Sequence, residues 1–150
     1  MSKRLTHLLF MTMCSVLLGL GTAGAVSAQV LVLTSTSNPI QEIGVKELRS
    51  LYKGRLSRVG EQTVIPLNKP AGSVDRTQFL SLMLNQNELD YTGYWHVRRY
   101  SGQGVPPQEV KSREDLFDRL KGNPNLLGYI WVEPGSKPEL PEGIKAIKIR

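Results

Sequence analysis

The chain has 150 residues, with 19 Lys and Arg against 13 Asp and Glu for a formal charge of +6, one cysteine, and 40% hydrophobic residues. That is enough apolar material for one domain with a modest core and leaves no room for a second. A single cysteine excludes an internal disulfide, and the mild basic excess favours anionic ligands and surfaces without specifying a fold.

The N-terminus reads as a cleavable secretory signal over residues 1–28. Lys3 and Arg4 precede the apolar run 8–20, which gives way to small residues and ends on Val26-Ser27-Ala28. The run is shorter than the roughly 20 residues that span a bilayer. Cleavage at that point leaves residues 29–150 as one domain, not inserted in a membrane. It removes Cys14, the only cysteine, and with it thiol and disulfide chemistry. Two of the 19 basic residues go with the signal and no acid does, so 17 cations against 13 acids leave a charge of +4.

Val30-Leu31-Val32-Leu33 is a short apolar run that predicts a buried strand entering the polar loop 34–39. Val45, Leu48, Leu51 and Tyr52 recur at helical spacing, with Gly54 placed to end that helix. Residues 63–67 predict a second strand, which Pro66 marks as an edge or an early end. After the loop 68–72, Ser73 is positioned to cap a helix with an apolar face of Phe79, Leu80, Met83 and Leu84. A further helix over 89–100 buries some of Tyr91, Tyr94, Trp95 and the stem of Arg98. Ser112 opens another, with acids in its first turn, Leu116, Phe117 and Leu120 on one face, and Gly122 at its end. Strands at 127–132 and 144–149 complete an alternation that implies an α/β layer structure.

The segment Lys69-Pro70-Ala71-Gly72-Ser73-Val74-Asp75-Arg76 carries a strand through a glycine and a hydroxyl into a helix start. Helix starts expose unpaired N–H groups and the positive end of the dipole, and so receive oxyanions. Lys69 and Arg76 add positive charge. The plainer reading is that Ser73 is an N-cap, Asp75 favours the dipole and both cations are solvated.

The order of segments resembles the phosphate-binding branch of type II periplasmic solute-binding proteins, and most closely its short single-lobe members. Ser37-Asn38-Pro39-Ile40 followed by 45–54 is similar to the family's Asn-Pro turn and helix ending in Tyr-x-Gly. The stretch 64–79, then Tyr94-Trp95, the loop 102–107 and Asn123-Pro124-Asn125 with 126–130 extend the likeness over most of 30–132. The resemblance implies a single-lobe periplasmic-binding-protein-like domain, a mixed sheet flanked by helices. It implies phosphate or a related oxyanion as ligand, a membrane transporter or sensor as partner, a periplasmic location, no cofactor and no catalysis. Carried over position by position, the family's phosphate contacts fall on Lys69, Ser73, Val74 and Asp75, beside Gly72 and Arg76. Lys69 keeps a charge but lacks the two-pronged fork of arginine. Asp75 puts a carboxylate where the family has a hydroxyl, which repels an anion unless it points away or is paired with Arg76. One lobe also leaves a ligand wet where the family encloses it between two.

Other chemistries are poorly served. His96 is the one histidine after residue 28, and no Gly-x-Ser-x-Gly elbow accompanies it, so neither a hydrolase nor a zinc site is supported. Glu114, Asp115 and Asp118 fit a solvated helix face. Arg98 and Arg99 among aromatics resemble a single-strand nucleic-acid surface, which export makes an improper partner. The alternative to ligand binding is a periplasmic interaction or sensory accessory domain that keeps the fold without binding a ligand by itself.

Overall fold

Alternation along two strands sets the architecture. A computed structural model describes residues 29–150, and the signal segment expected at 1–28 lies outside the described residues. Strand β1 (Gln29–Ser35) and strand β7 (Leu126–Val132) pair antiparallel at the centre of the sheet, Val32 opposite Tyr129. Val30, Val32, Leu127 and Tyr129 enter one apolar cluster, whereas Leu33, Ile130 and Val132 enter another. Successive side chains of a strand point to opposite faces, so both faces of this pair are covered and the runs are apolar throughout.

The six-stranded sheet has the order β2-β8-β1-β7-β5-β6. Here β2 is Glu42–Ile43, β5 is Ile65–Asn68, β6 is Gln108–Glu109 and β8 is Ile144–Ile149. Strand β8 runs antiparallel to β1, while β5 runs parallel to both β6 and β7, making the sheet mixed. A separate hairpin joins β3 (Arg58–Val59) to β4 (Gln62–Thr63).

Helices α1 (Val45–Tyr52), α2 (Val74–Phe79) and α3 (Glu88–Tyr100) cover the first face. Leu48, Leu51, Tyr52, Phe79, Tyr91 and Trp95 all join its cluster. Helix α2 runs on into a π-helical turn, Leu80–Leu84, closed by Asn85 in the left-handed region at φ 54°. Helix α4 (Arg113–Gly122) covers the other face through Leu116 and Leu120. Leu116 lies on the bare backbone of Gly128, where a Cβ would collide with it. Each fully buried large apolar side chain contributes roughly 1.5–3 kcal/mol. Among the described residues, these two clusters form the apolar core on the two faces of the sheet.

The helices expected around Val45, Ser73, residues 89–100 and Ser112 form where the pattern places them, and the last strand has the expected bounds. Gly54 ends α1 with φ +63°, in close contact with the Trp95 ring. Pro66 requires a correction: β5 is interior, flanked by β7 and β6. It tolerates proline because the β6 ladder starts only after it, at Leu67 and Asn68. Trp131, on the predicted strand 127–132, is half-buried.

The topology places the candidate site. After β5 the chain crosses one face through α2 and α3 to reach β6, then crosses the other through α4 to reach β7 on β5's far side. Such reversals open a crevice outside the carboxyl ends of the parallel strands, where α/β proteins bind ligands.

Candidate functional site

Two turns of chain deliver the α2 start to that crevice. Pro70 C=O accepts the Ser73 N–H at 3.1 Å across a tight turn in which Gly72 has φ +79°. A Cβ there meets nothing within 4 Å, so the backbone conformation, not space, requires glycine. Ser73 is the N-cap: its Oγ accepts the Arg76 N–H at 3.3 Å and donates to Pro70 C=O at 2.8 Å. Val74 is 61% exposed.

Beneath the loop lies a buried polar network. Tyr129 Oη donates to Asn68 Oδ1, and both receive the Lys69 backbone N–H, at 3.2 and 3.0 Å. Tyr52 Oη donates to Leu67 C=O at 2.9 Å and Tyr91 Oη to Tyr52 C=O at 3.1 Å. The Tyr129 ring stacks on Phe79 at 3.8 Å. Burial holds all three phenols above their ordinary range, Tyr91 pushed up to about 12. The network fixes Lys69 in place before its side chain does anything.

The six residues singled out from the sequence share this loop and helix turn, but their charges are engaged. Lys69 is only 3% exposed, with Nζ 3.2 Å from Asp75 Oδ2. Asp75 Oδ1 accepts the Trp131 N–H at 2.7 Å and lies 3.5 Å from the Arg113 guanidinium. Arg76 points away from that group. It is 5% exposed and reaches Glu109 at 2.5 Å, Glu88 at 2.6 Å and Lys69 C=O at 3.1 Å, with the Tyr91 ring 5.4 Å away. The cations expected to be solvated are thus buried and paired: Lys69 follows the buried end of β5, and Arg76 lies on the inward side of α2.

Glu88, Glu109, Arg113 and the Trp131 backbone were not singled out from sequence. They lie 12 to 56 positions from the residues they bond, and only chain crossovers bring them close. Trp131 lies beyond the β5 ladder, which reaches only Leu127 of β7, and on that side its N–H meets the Asp75 side chain.

An open cleft of about 570 Å³ adjoins the α2 start. Ser73, Val74 and Asp75 form one wall, Arg113 and Trp131 another, and residues 133–139 a third that includes Lys137. The arrangement is an anion cradle holding a carboxylate: ammonium, backbone N–H and guanidinium converge on Asp75 at a helix start. His96 is exposed on α3, away from these residues. Among the described residues, no helix is long and apolar enough to cross a membrane.

With this geometry in hand, the fold can be compared with known proteins. It is similar to that of phosphate receptors of ABC transporters. An ABC-type phosphate transport receptor from Vibrio cholerae aligns with a TM-score of 0.60 and 18% identity, over 83% of this chain and 48% of that one. A protein assigned as a phosphate ABC transporter substrate-binding protein, with bound phosphate, from Clostridium perfringens gives 0.60 and 16%, over 83% and 46%. PstS from Borrelia burgdorferi gives 0.58 and 14%, over 83% and 48%. The chain spans about half the length of each of these structures. At such identities the likeness shows the α/β fold alone. No family model and no curated protein sequence matches the chain.

Proposed function

We propose that the chain is an exported receptor-like lobe that binds phosphate or a similar oxyanion at the α2 start and serves phosphate uptake or sensing. In this reading residues 1–28 are the signal and 29–150 the periplasmic lobe, which carries no cofactor and catalyses no reaction. The observation that carries the reading is the cradle itself. Lys69 Nζ, the Trp131 N–H and Arg113 already surround one anionic group, the Asp75 carboxylate. A phosphate entering the cleft competes with Asp75 for the same donors, beside Ser73 and Val74. Asp75 is tethered and always present, so it lowers apparent affinity without abolishing the site. The fold shared with phosphate receptors supports the same assignment.

Thermal melting of residues 29–150 with increasing phosphate tests this. A ligand at 100 times its Kd stabilises by roughly 2.7 kcal/mol. Asp75→Asn is expected to respond at lower phosphate concentrations than the wild type. No response from either protein at millimolar phosphate would remove the assignment.

One observation favours the alternative, an interaction or sensory accessory domain without a ligand of its own. The cleft is lined by three acids, Asp75, Glu133 and Glu139, against two cations, Arg113 and Lys137. That balance disfavours a free dianion until a partner supplies more positive charge. The same titration decides, since the alternative predicts no phosphate response even when Asp75 is neutralised.

A further inference from the structure

The positive charge that is not neutralised lies elsewhere. Ion pairs among the described residues engage Lys69, Arg76, Arg113, Arg119 and Arg150. Lys46, Arg49, Lys53 and Arg55 are in none of them, and with Ser50 they line one shallow depression of about 240 Å³. A second depression shares Arg55 and adds Arg98, Leu56 and Val105. No acid lines either one. The two are joined by Tyr94, whose ring has Lys53 Nζ at 5.5 Å, Arg98 at 5.7 Å and Arg55 at 5.8 Å. Tyr94 Oη donates to Lys53 C=O at 2.8 Å, which ties α3 to the end of α1 and gathers the cations on one face.

Their hydrogen bonds leave the charge in place. Arg49 Nε donates to Met83 C=O at 2.6 Å, and Arg98 donates to the carbonyls of Gly54 and Gln103. The α1 dipole accounts for Arg49 and Lys53 near its carboxyl end. It does not account for Lys46 in the first turn, where a cation is unfavourable, nor for Arg55 and Arg98. Leu56 and Val105, 42% and 65% exposed, stand among these cations.

We propose that this face docks on an anionic phospholipid bilayer. Five unpaired cations spread over two helices and a turn match a plane of phosphates better than one enclosed anion. Long Lys and Arg stems with neighbouring aliphatic side chains are the composition of an interfacial surface, apolar atoms at the acyl boundary and charges at the headgroups. The contact is peripheral, and it depends on charge rather than on the α2 cradle.

The test is co-sedimentation of residues 29–150 with phosphatidylcholine vesicles, with and without phosphatidylglycerol. Retention is expected only on the phosphatidylglycerol vesicles at low ionic strength, and high salt should abolish it. Each neutralised cation near the surface lowers retention about fivefold, so Lys53→Gln with Arg55→Gln should lower it on the order of 25-fold. Leu56→Ser with Val105→Ser should weaken it at unchanged charge. All four positions are half-buried or exposed, and an unchanged melting temperature confirms folding. No retention at low salt, or equal retention after neutralisation, overturns the proposal. So does displacement by inorganic phosphate beyond that by chloride at matched ionic strength, which marks a single-anion site. Displacement by polyglutamate together with full retention of the serine variant would assign the face to an acidic protein instead. Vesicle retention and phosphate-dependent melting are separate measurements, so this inference and the α2 assignment fail independently.

Discussion

The α2 start and the α1–α3 face are both rich in cations, but they treat charge in opposite ways. At α2, Lys69 and Arg76 are buried, and Asp75, Glu88 and Glu109 answer them. On the other face Lys46, Lys53 and Arg55 are in none of the ion pairs among the described residues, and they are half-buried or exposed. A buried charge has to be paired, because its desolvation penalty reaches several kcal/mol, whereas an exposed one costs little. The first group therefore belongs to the folded structure as much as to any ligand. The second is available to whatever the protein meets.

Changing the two regions sharpens that contrast. The largest effect is expected at alkaline pH, beneath the α2 start. Tyr91 titrates near 12 when folded against an ordinary value of 10.0, and Tyr52 and Tyr129 are also raised. Between those values the unfolded chain binds fewer protons than the folded one, so the tyrosines' contribution to stability is constant below about pH 10 and falls as pH rises toward 12. The slope is about 1.4 kcal/mol per pH unit for each tyrosine involved. Urea melts at a series of pH values, read with tyrosine absorbance, check this. Tyr91→Phe should flatten the curve.

Removing the Arg76 guanidinium comes next. Arg76→Met leaves Glu88 and Glu109 without their partner and is expected to cost about 3 kcal/mol in chemical denaturation, toward the low end for a buried pair because both acids are partly exposed. Asp75→Asn leaves Lys69 buried without a counter-charge and is expected to cost about 2 kcal/mol, part of which phosphate should restore. Ser73→Ala removes the N-cap for about 1 kcal/mol. Arg55→Ala, on the open face, should change stability by less than about 0.5 kcal/mol. A large loss there would show that the open face is structural after all.

Much of the fold was legible because its signals are local. Ser73 and Ser112 cap the helices they precede. The apolar run of β1 announced a buried strand, and the run at 127–132 a second strand. The two-residue strands β2 and β6 carry no periodicity and exist only through their partners β8 and β5. At the site, the sequence named the loop, the glycine and the serine, each defined by its immediate neighbours. It offered Arg76 as the partner of Asp75, whereas the two, adjacent on a helix, divide. One turns to Lys69 and Trp131, the other to Glu88 and Glu109, a choice made by strands and helices far along the chain. Asp75 was expected to be turned away or paired, and Lys69 rather than Arg76 is its partner.

The short strands have a consequence for association. Both margins of the six-stranded sheet, β2 and β6, are two residues long. Long unpaired margins are templates on which a foreign strand adds by backbone hydrogen bonding, the route to domain swapping and fibrils. The two margins themselves offer little of such a template, and beside β2 only the start of β8, Ile144–Ile147, which pairs with β1 and not with β2, extends past them.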